Sequence, residues 1–332
     1  MRGRGRRPAA EHGADQMIID FHCHFPGDEP TQDRLDAEYE HVCGPAKLEV
    51  LRANSAKYAE RVRRARSLPP TAPETRTTEA LAAAWREEAD DFGLERVVFM
   101  SGGGNDRLAS VVAAHPDRFV GFANHQPCSP GAAAELRRAV EIGLRGYKVI
   151  APWVTVPLAD RSLWPVWEVV EEHALPVVLH FGPVNGGGGL GWAPNMDPLA
   201  LHDVAKAFPT VNFVVAHFGC GYPAELLRLG WSNANVHVDS SSNHEWTRWV
   251  PYDLDQKALF RKFHETFGPE RVLFGTDSCD FPWGYIRKYA EEQVRIVDEL
   301  NLSPRDRELI FAGNAARLLN LDLPVARTRE TA

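Results

Sequence analysis

The sequence predicts an α/β protein folded as a (β/α)8 barrel with a helical cap inserted after the first strand. Three observations predict it. Short apolar runs alternate with amphipathic helical stretches along the chain. The runs number eight, the count that closes a parallel barrel whose faces are covered by helices. The first, fifth, sixth and eighth carry His22 with His24, His180, His217 and Asp277 at their ends, where a TIM barrel places its chemistry. An open doubly wound sheet is the competing architecture, but no G-x-G-x-x-G follows the first run.

Taken in order, the first strand is read over Met17–Phe25 (M-I-I-D-F-H-C-H-F), the second over Arg96–Ser101 and the third over Phe119–His125. The fourth is Gly146–Ile150, the fifth Pro176–His180 and the sixth Asn212–His217. Asn235–Asp239 is the seventh and Arg271–Asp277 the eighth. Helical periodicity starts at Ala132, Leu163 and Gln256, and two helices, Trp283–Leu300 and Ser303–Leu319, follow the last strand. Pro26–Pro73 interrupts the repeat. Its charged, helical middle, Ala46–Ser67, is expected to form a cap or lid over the barrel mouth. The Gly186–Gly189 run is read as a flexible active-site loop and not a phosphate cradle, because no G-K-[ST] follows it.

The expected division is an N-terminal extension over 1–16, the barrel over 17–321 and a tail over 322–332. Met17, directly before the first strand, is a second candidate start. At 332 residues the chain suits one barrel of roughly 250 residues with insertions better than two ordinary domains. No apolar run approaches the ~20 residues that cross a bilayer. The net charge is −8, and the first 16 residues carry four arginines against Glu11 and Asp15, so the remainder is more acidic still. An acidic body argues against a nucleic-acid partner. Five dispersed cysteines without a C-x-x-C pair or an apolar leader point to free thiols and the cytoplasm.

The strand ends carry the functional signal. His22 and His24 are two residues apart on one strand, so both point one way and Cys23 the other. His180, His217 and Asp277 end three further strands, and Lys148 lies on the fourth. One histidine of this kind is ordinarily a hydrogen-bonded core residue. Four with an aspartate at matching ends are a metal site, and imidazole with carboxylate suits Zn2+, Mn2+ or Fe2+ while leaving a position open. His125, at the end of the third strand, and His244, after the seventh, face the same end and are candidate substrate contacts. Trp153, Trp192, Trp246 and Trp283 lie in strand-end loops, where they could wall a planar substrate.

D-F-H-C-H, G-Y-K-V, L-P-V-V-L-H-F-G, V-V-A-H-F-G, V-L-F-G-T-D and the terminal G-N-A-A-R-L-L-N-L resemble the amidohydrolase superfamily over about residues 17–321. The branch resembled is the amidohydrolase-related group that includes aminocarboxymuconate-semialdehyde decarboxylase. The resemblance implies one divalent ion, Zn2+ first with Mn2+ or Fe2+ as alternatives. It implies His22, His24, His180 and Asp277 as ligands, His217 and Asp277 as catalytic groups, a small-molecule substrate and a homodimer. Two features depart from the decarboxylases of that group. Phe181-Gly182 stands where a Pro-Trp pair is usual, and Lys148 occupies a position that carries a carboxylated bridging lysine in binuclear members. Hydrolysis of an amide, lactone or related carbonyl compound by a metal-activated water is therefore the first reading. Non-oxidative decarboxylation of an aromatic or enoic acid is the second, favoured by the T-D-S-C-D-F-P-W stretch. A non-catalytic scaffold would be marked by a lost ligand, and none is missing.

Overall fold

The computed structural model describes residues 16–27, 40, 44–65, 74–184 and 193–322. The expected extension up to residue 15, the Gly186–Gly189 run, Trp192, the tail from residue 323 and parts of the Pro26–Pro73 insertion lie outside the described residues.

Nine parallel segments form the barrel wall: β1 Ile19–Cys23, β2 Arg96–Phe99, β3 Phe119–Gly121, β4 Ala123–Asn124, β5 Tyr147–Ile150, β6 Val177–His180, β7 Phe213–Val215, β8 Val236–Asp239 and β9 Val272–Leu273. They run in the order β1-β2-β3 and then β4 through β9, each beside its sequence neighbour. β3 and β4 are successive halves of one barrel strand, the first bonded to β2 and the second to β5. The ring closes between its ends. Phe21 N donates to Phe274 O at 3.0 Å and Asp277 N to His22 O at 2.7 Å, and Cys23 bridges Ser278 in parallel. Eight strand positions thus close a (β/α)8 barrel.

The covering helices are α1 Pro45–Ala65, α2 Thr78–Phe92, α3 Asn105–Ala114, α4 Ala132–Glu141, α5 Trp164–Glu172, α6 His202–Ala207, α7 Pro223–Ser232, α8 Gln256–Phe267, α9 Arg287–Glu299, α10 Pro304–Glu308 and α11 Asn314–Leu319. Their ends follow local chemistry. Asp255 caps α8 by accepting from Ala258 N at 2.7 Å, and Leu259, Phe260, Phe263 and Phe267 form its buried stripe. Gly93, at φ 85°, ends α2 by donating to Ala89 O. The insertion does contain a helix, α1. The helix expected from Trp283 begins only at Arg287, because Trp283 and Gly284 both turn back onto Asp280 O at 3.1 Å. The final predicted helix is broken into α10 and α11 by a π-turn at Leu309–Gly313. There Ile310 O accepts from Phe274 N at 3.0 Å, so the turn takes over hydrogen bonding where regular pairing of β9 stops. No helix among the described residues is long and apolar enough to cross a membrane.

Alternation divides the core into two layers. Val97, Phe99, Tyr147, Val149, Val177, Leu179 and Val215 face the helices. Val98, Met100, Val120, Phe122, Val178, Val214 and Leu273 face the barrel interior, where Ala315, Leu318 and Leu319 of α11 pack with Met17 and Ile19 as a plug. Chemistry is left to the opposite end.

His237 of β8 is buried, with Nε2 hydrogen-bonded to Asn212 Oδ1 at 3.0 Å. Burial, with Arg317 and Arg271 adding to it, pulls its pKa down to about 3. An unfolded chain protonates this histidine near pH 6.5 while the folded one stays neutral until about pH 3. Its contribution to stability is therefore lost as pH falls through that window, at up to ~1.4 kcal/mol per pH unit. In urea titrations between pH 7 and 4, His237→Gln should show a shallower acid decline than the wild type. Equal slopes would assign the acid sensitivity to other groups.

Candidate metal centre and active site

β1 does not alternate evenly. Ile19 and Phe21 pack inside the barrel, whereas Cys23 and Phe25 join the outer layer. The register against β2 slips between Asp20 and Cys23, a bulge that inserts one residue. Phe21 and His22 thereby both face inward, and the step to His24 keeps it with His22. Unbroken alternation from Ile19 and Phe21 would have sent both histidines into the outer layer. Bulges re-aim side chains beside sites in this way. The brace behind the bulge is Asp20, which accepts from His22 N at 3.0 Å and from Thr276 Oγ1 at 2.7 Å, tying β1 to the loop that carries Asp277.

Asp239, at the end of β8, organises the interior. It is fully buried. His22 Nδ1 donates to its Oδ2 at 2.8 Å. Its Oδ1 accepts from His217 N at 3.0 Å, from Ser241 N at 3.1 Å and from the Ser241 hydroxyl. With that hydroxyl proton committed to Asp239, Ser241 Oγ accepts from His217 Nδ1 at 2.7 Å. The network thus assigns both imidazoles the same tautomer, with the proton on Nδ1 and a bare lone pair on Nε2. Carboxylates behind metal-binding histidines commonly set the ring in this manner. Sequence reasoning passed over Asp239, although N-V-H-V-D ends a barrel strand in a carboxylate just as V-L-F-G-T-D does. Ser241 and Ser101 were missed too, since a lone serine carries no signal in a sequence.

Two of the candidate site residues sit on left-handed backbone. His217 (φ 58°) opens a turn that continues through Phe218 (50°), Gly219 (87°), Cys220 (43°) and Gly221 (97°), and Asp277 has φ 61°. Such conformations cost a non-glycine residue roughly 1–2 kcal/mol each and concentrate at functional sites. Hydrogen bonds hold both in place: Asp239 on His217 N, and His22 O on Asp277 N.

His22, His217 and Asp277 offer ligand atoms that all lie within 4.8 Å of one another. Asp277 Oδ1 is 3.2 Å from His24 Nε2 and 3.8 Å from His22 Nε2. His24 Nδ1 is 2.7 Å from Ser101 Oγ. The His180 ring lies 5.1 Å from that of His217, and its Nε2 is 3.4 Å from Pro183 O. The four strand-end histidines singled out in the sequence therefore surround the fifth residue, Asp277. Lys148 Nζ donates to His22 Nε2 at 3.3 Å.

Burial keeps the histidines neutral: it lowers His22, with Lys148 adding to it, lowers His217 well below its usual value, and brings His180 to about 4. Burial opposes the charges of Asp239 and Asp277. Neighbouring histidines outweigh it, His22 and His217 at Asp239 and His217 and His24 at Asp277, and both carboxyls stay well below the usual carboxylate range. Burial draws Lys148 down to about 8, against the pull of Asp239 and Asp277. Neutral imidazoles with bare Nε2 atoms converging on an ionised carboxylate fit a divalent cation.

The remaining candidates are held by contacts of their own. His125 has both ring nitrogens beside protein groups, Nε2 3.0 Å from Ala132 O and Nδ1 3.5 Å from Asn105 Nδ2. His244 is buried, with Nε2 3.1 Å from Ser240 O and its ring against Phe218 and Trp246. It helps line a cavity of about 770 Å³ with Arg248 and Tyr252, a lining that includes none of His22, His217 and Asp277. Trp153 is buried in the turn after β5, and Trp283 packs on Ile286 and Tyr289.

Gly275 shows how tightly the site is packed. A Cβ there would lie 2.9 Å from His22 Cβ and 3.1 Å from Ser241 Cβ. Gly275→Ala should displace the Asp239 network, lowering stability by about 1–3 kcal/mol and weakening metal binding. Thermal unfolding with and without Mn2+ checks this, and an unchanged metal-induced shift would count against it.

A barrel with a histidine and aspartate cluster at its strand ends defines a class of metal-site α/β barrels. The chain belongs to the amidohydrolase family, whose model matches residues 19–321. It is 32% identical over 267 residues to a gamma-resorcylate decarboxylase of Rhodococcus jostii, covering 69% of this chain and 78% of the relative. It is 24% identical over 268 residues to the 2-amino-3-carboxymuconate-6-semialdehyde decarboxylase of Dictyostelium discoideum, covering 74% and 72%. Its fold is similar to that of a 5-carboxyvanillate decarboxylase from Novosphingobium aromaticivorans solved with manganese, at a TM-score of 0.61 and 17% identity, covering 92% of this chain and 96% of that one.

Proposed function

We propose that this protein is a metal-dependent, non-oxidative decarboxylase of an aromatic or enoic acid. The observation that carries the reading is the 32% identity to a gamma-resorcylate decarboxylase over 69% of the chain. It reverses the order drawn from the residues alone, which put hydrolysis first.

In this reading His22 and Asp277 hold the ion, with His217, His24 and His180 around them. The donor set suits Mn2+, as in the Novosphingobium structure, and equally Zn2+ or Fe2+. A divalent cation bound there supplies a Lewis acid for a substrate oxygen. Asp239 fixes the imidazole that points at it. His217, neutral before the reaction, takes up a proton at Nε2 from solvent and delivers it to the substrate carbon. The bond from that carbon to the carboxyl group breaks, CO2 leaves, and the electron pair left behind forms the new C–H bond. Asp277 is the other group placed to carry that proton. α1 acts as a cap over the barrel mouth.

Hydrolysis is the second reading, favoured by Lys148 and by Phe181-Gly182 in place of Pro-Trp. Metal-loaded protein incubated with hydroxybenzoates, lactones and amides separates the two. CO2 release that falls at least about 10³-fold in His217→Ala, some 4 kcal/mol of transition-state stabilisation, is the expected result. Acid release from a lactone or amide without CO2 would install hydrolysis instead.

A further inference from the structure

Lys148 sits on the inner face of β5, 3% exposed, with its ammonium on His22 Nε2 at 3.3 Å. That lone pair is also the one a metal ion would take, because the other nitrogen of the ring is committed to Asp239. One imidazole lone pair serves one partner. Lys148 and the ion therefore compete for His22.

Once His22 turns to the ion, the ammonium is left buried beside a second cation. A buried charge without an acceptor is costly. Asp239 is already occupied by His22, His217 and Ser241. Asp277 faces His24 and the ion. The charge count agrees: two carboxylates set against one ammonium and one divalent cation leave a single positive charge unmatched.

We infer that Lys148 is a specificity-determining residue that receives the carboxylate of a monoanionic arene or enoic acid when the ion occupies His22, so that ion and anion bind cooperatively. A neutral amide or lactone offers no charge to complete the site. An anion that draws Lys148 away from His22 frees the lone pair for the ion, and by linkage the ion strengthens anion binding equally. The inference rests on the metal reading of His22 and Asp277 but not on decarboxylation.

The test is calorimetric titration of Mn2+ into the full-length protein alone, with benzoate and with benzamide. In the wild type, benzoate should tighten Mn2+ binding by about 5- to 150-fold, the usual range of coupling between sites, and benzamide should not. Lys148→Met should bind Mn2+ more tightly than the wild type without benzoate, and its benzoate effect should shrink at least about fivefold. Lys148→Gln, which keeps a polar group at the position, should behave likewise. The wild-type comparison of benzoate with benzamide stands even if neither variant folds. Equal effects of benzoate and benzamide, or a benzoate effect unchanged in both variants, would overturn the inference. Absence of Mn2+ binding would overturn it together with the metal reading. Intact coupling without CO2 release would uphold it while the decarboxylase reading fails.

Discussion

Asp277→Asn protein is expected to fold, to lose its divalent ion and to lose activity by at least about 10³-fold, some 4 kcal/mol of transition-state stabilisation. The choice of asparagine matters. Position 277 has φ 61°, a left-handed conformation that asparagine tolerates about as well as aspartate, so the backbone bond from residue 277 to His22 O survives. What disappears is the negative charge facing His22, His24 and His217. Alanine there would add backbone strain and blur the result. Metal content by mass spectrometry, read beside far-UV circular dichroism, checks the expectation. Stoichiometric metal in folded Asp277→Asn protein would remove Asp277 from the site.

Asp239→Asn should weaken metal binding by roughly 10–100-fold, the usual cost of losing such a partner, although Asp239 is not in the His22, His217 and Asp277 cluster. If the amide oxygen keeps the contacts to His217 N and Ser241, its NH2 group faces His22 Nδ1, which is itself a donor. The ring must then move its proton to Nε2, and the lone pair the ion needs is gone. A buried donor left without an acceptor also costs stability, by about 1–3 kcal/mol. Nitrogen-15 spectra of His22 read the tautomer directly. Wild-type tautomer and wild-type Mn2+ affinity in Asp239→Asn would refute the organising role given to Asp239.

The barrel was legible because its signals are local. Each strand is an apolar run and each helix an amphipathic one, so the eight positions could be counted before any pairing was known. His22, His24, His180, His217 and Asp277 were legible because chemistry in such barrels is confined to strand ends. What sequence could not carry was set by contacts distant along the chain. The β1 bulge depends on register against β2, and parity alone places His22 and His24 together without saying which face they take. The eighth strand was read through Asp277, yet regular pairing ends at Leu273 because Phe274 N turns to Ile310 O on the C-terminal π-turn. V-V-A-H predicts that His217 ends a strand, whereas it opens a left-handed turn, a conformation that neither His217 nor Phe218 announces. Asp239 is within reach of the strand-end rule, since N-V-H-V-D ends a barrel strand in a carboxylate. His125 illustrates the opposite case, a histidine at a strand end whose ring is taken up by Ala132 and Asn105.

The central claim is that the buried cluster at the barrel mouth is a metal site. Crystals of the full-length protein grown with Mn2+, with anomalous diffraction recorded at the manganese edge, test it most directly. One strong anomalous peak bonded to His22 Nε2 and an Asp277 oxygen, with Lys148 moved off His22, is the expected result. The same map decides which of His217, His24 and His180 completes the ligand set. A peak elsewhere, or no peak while Lys148 stays on His22, would contradict it.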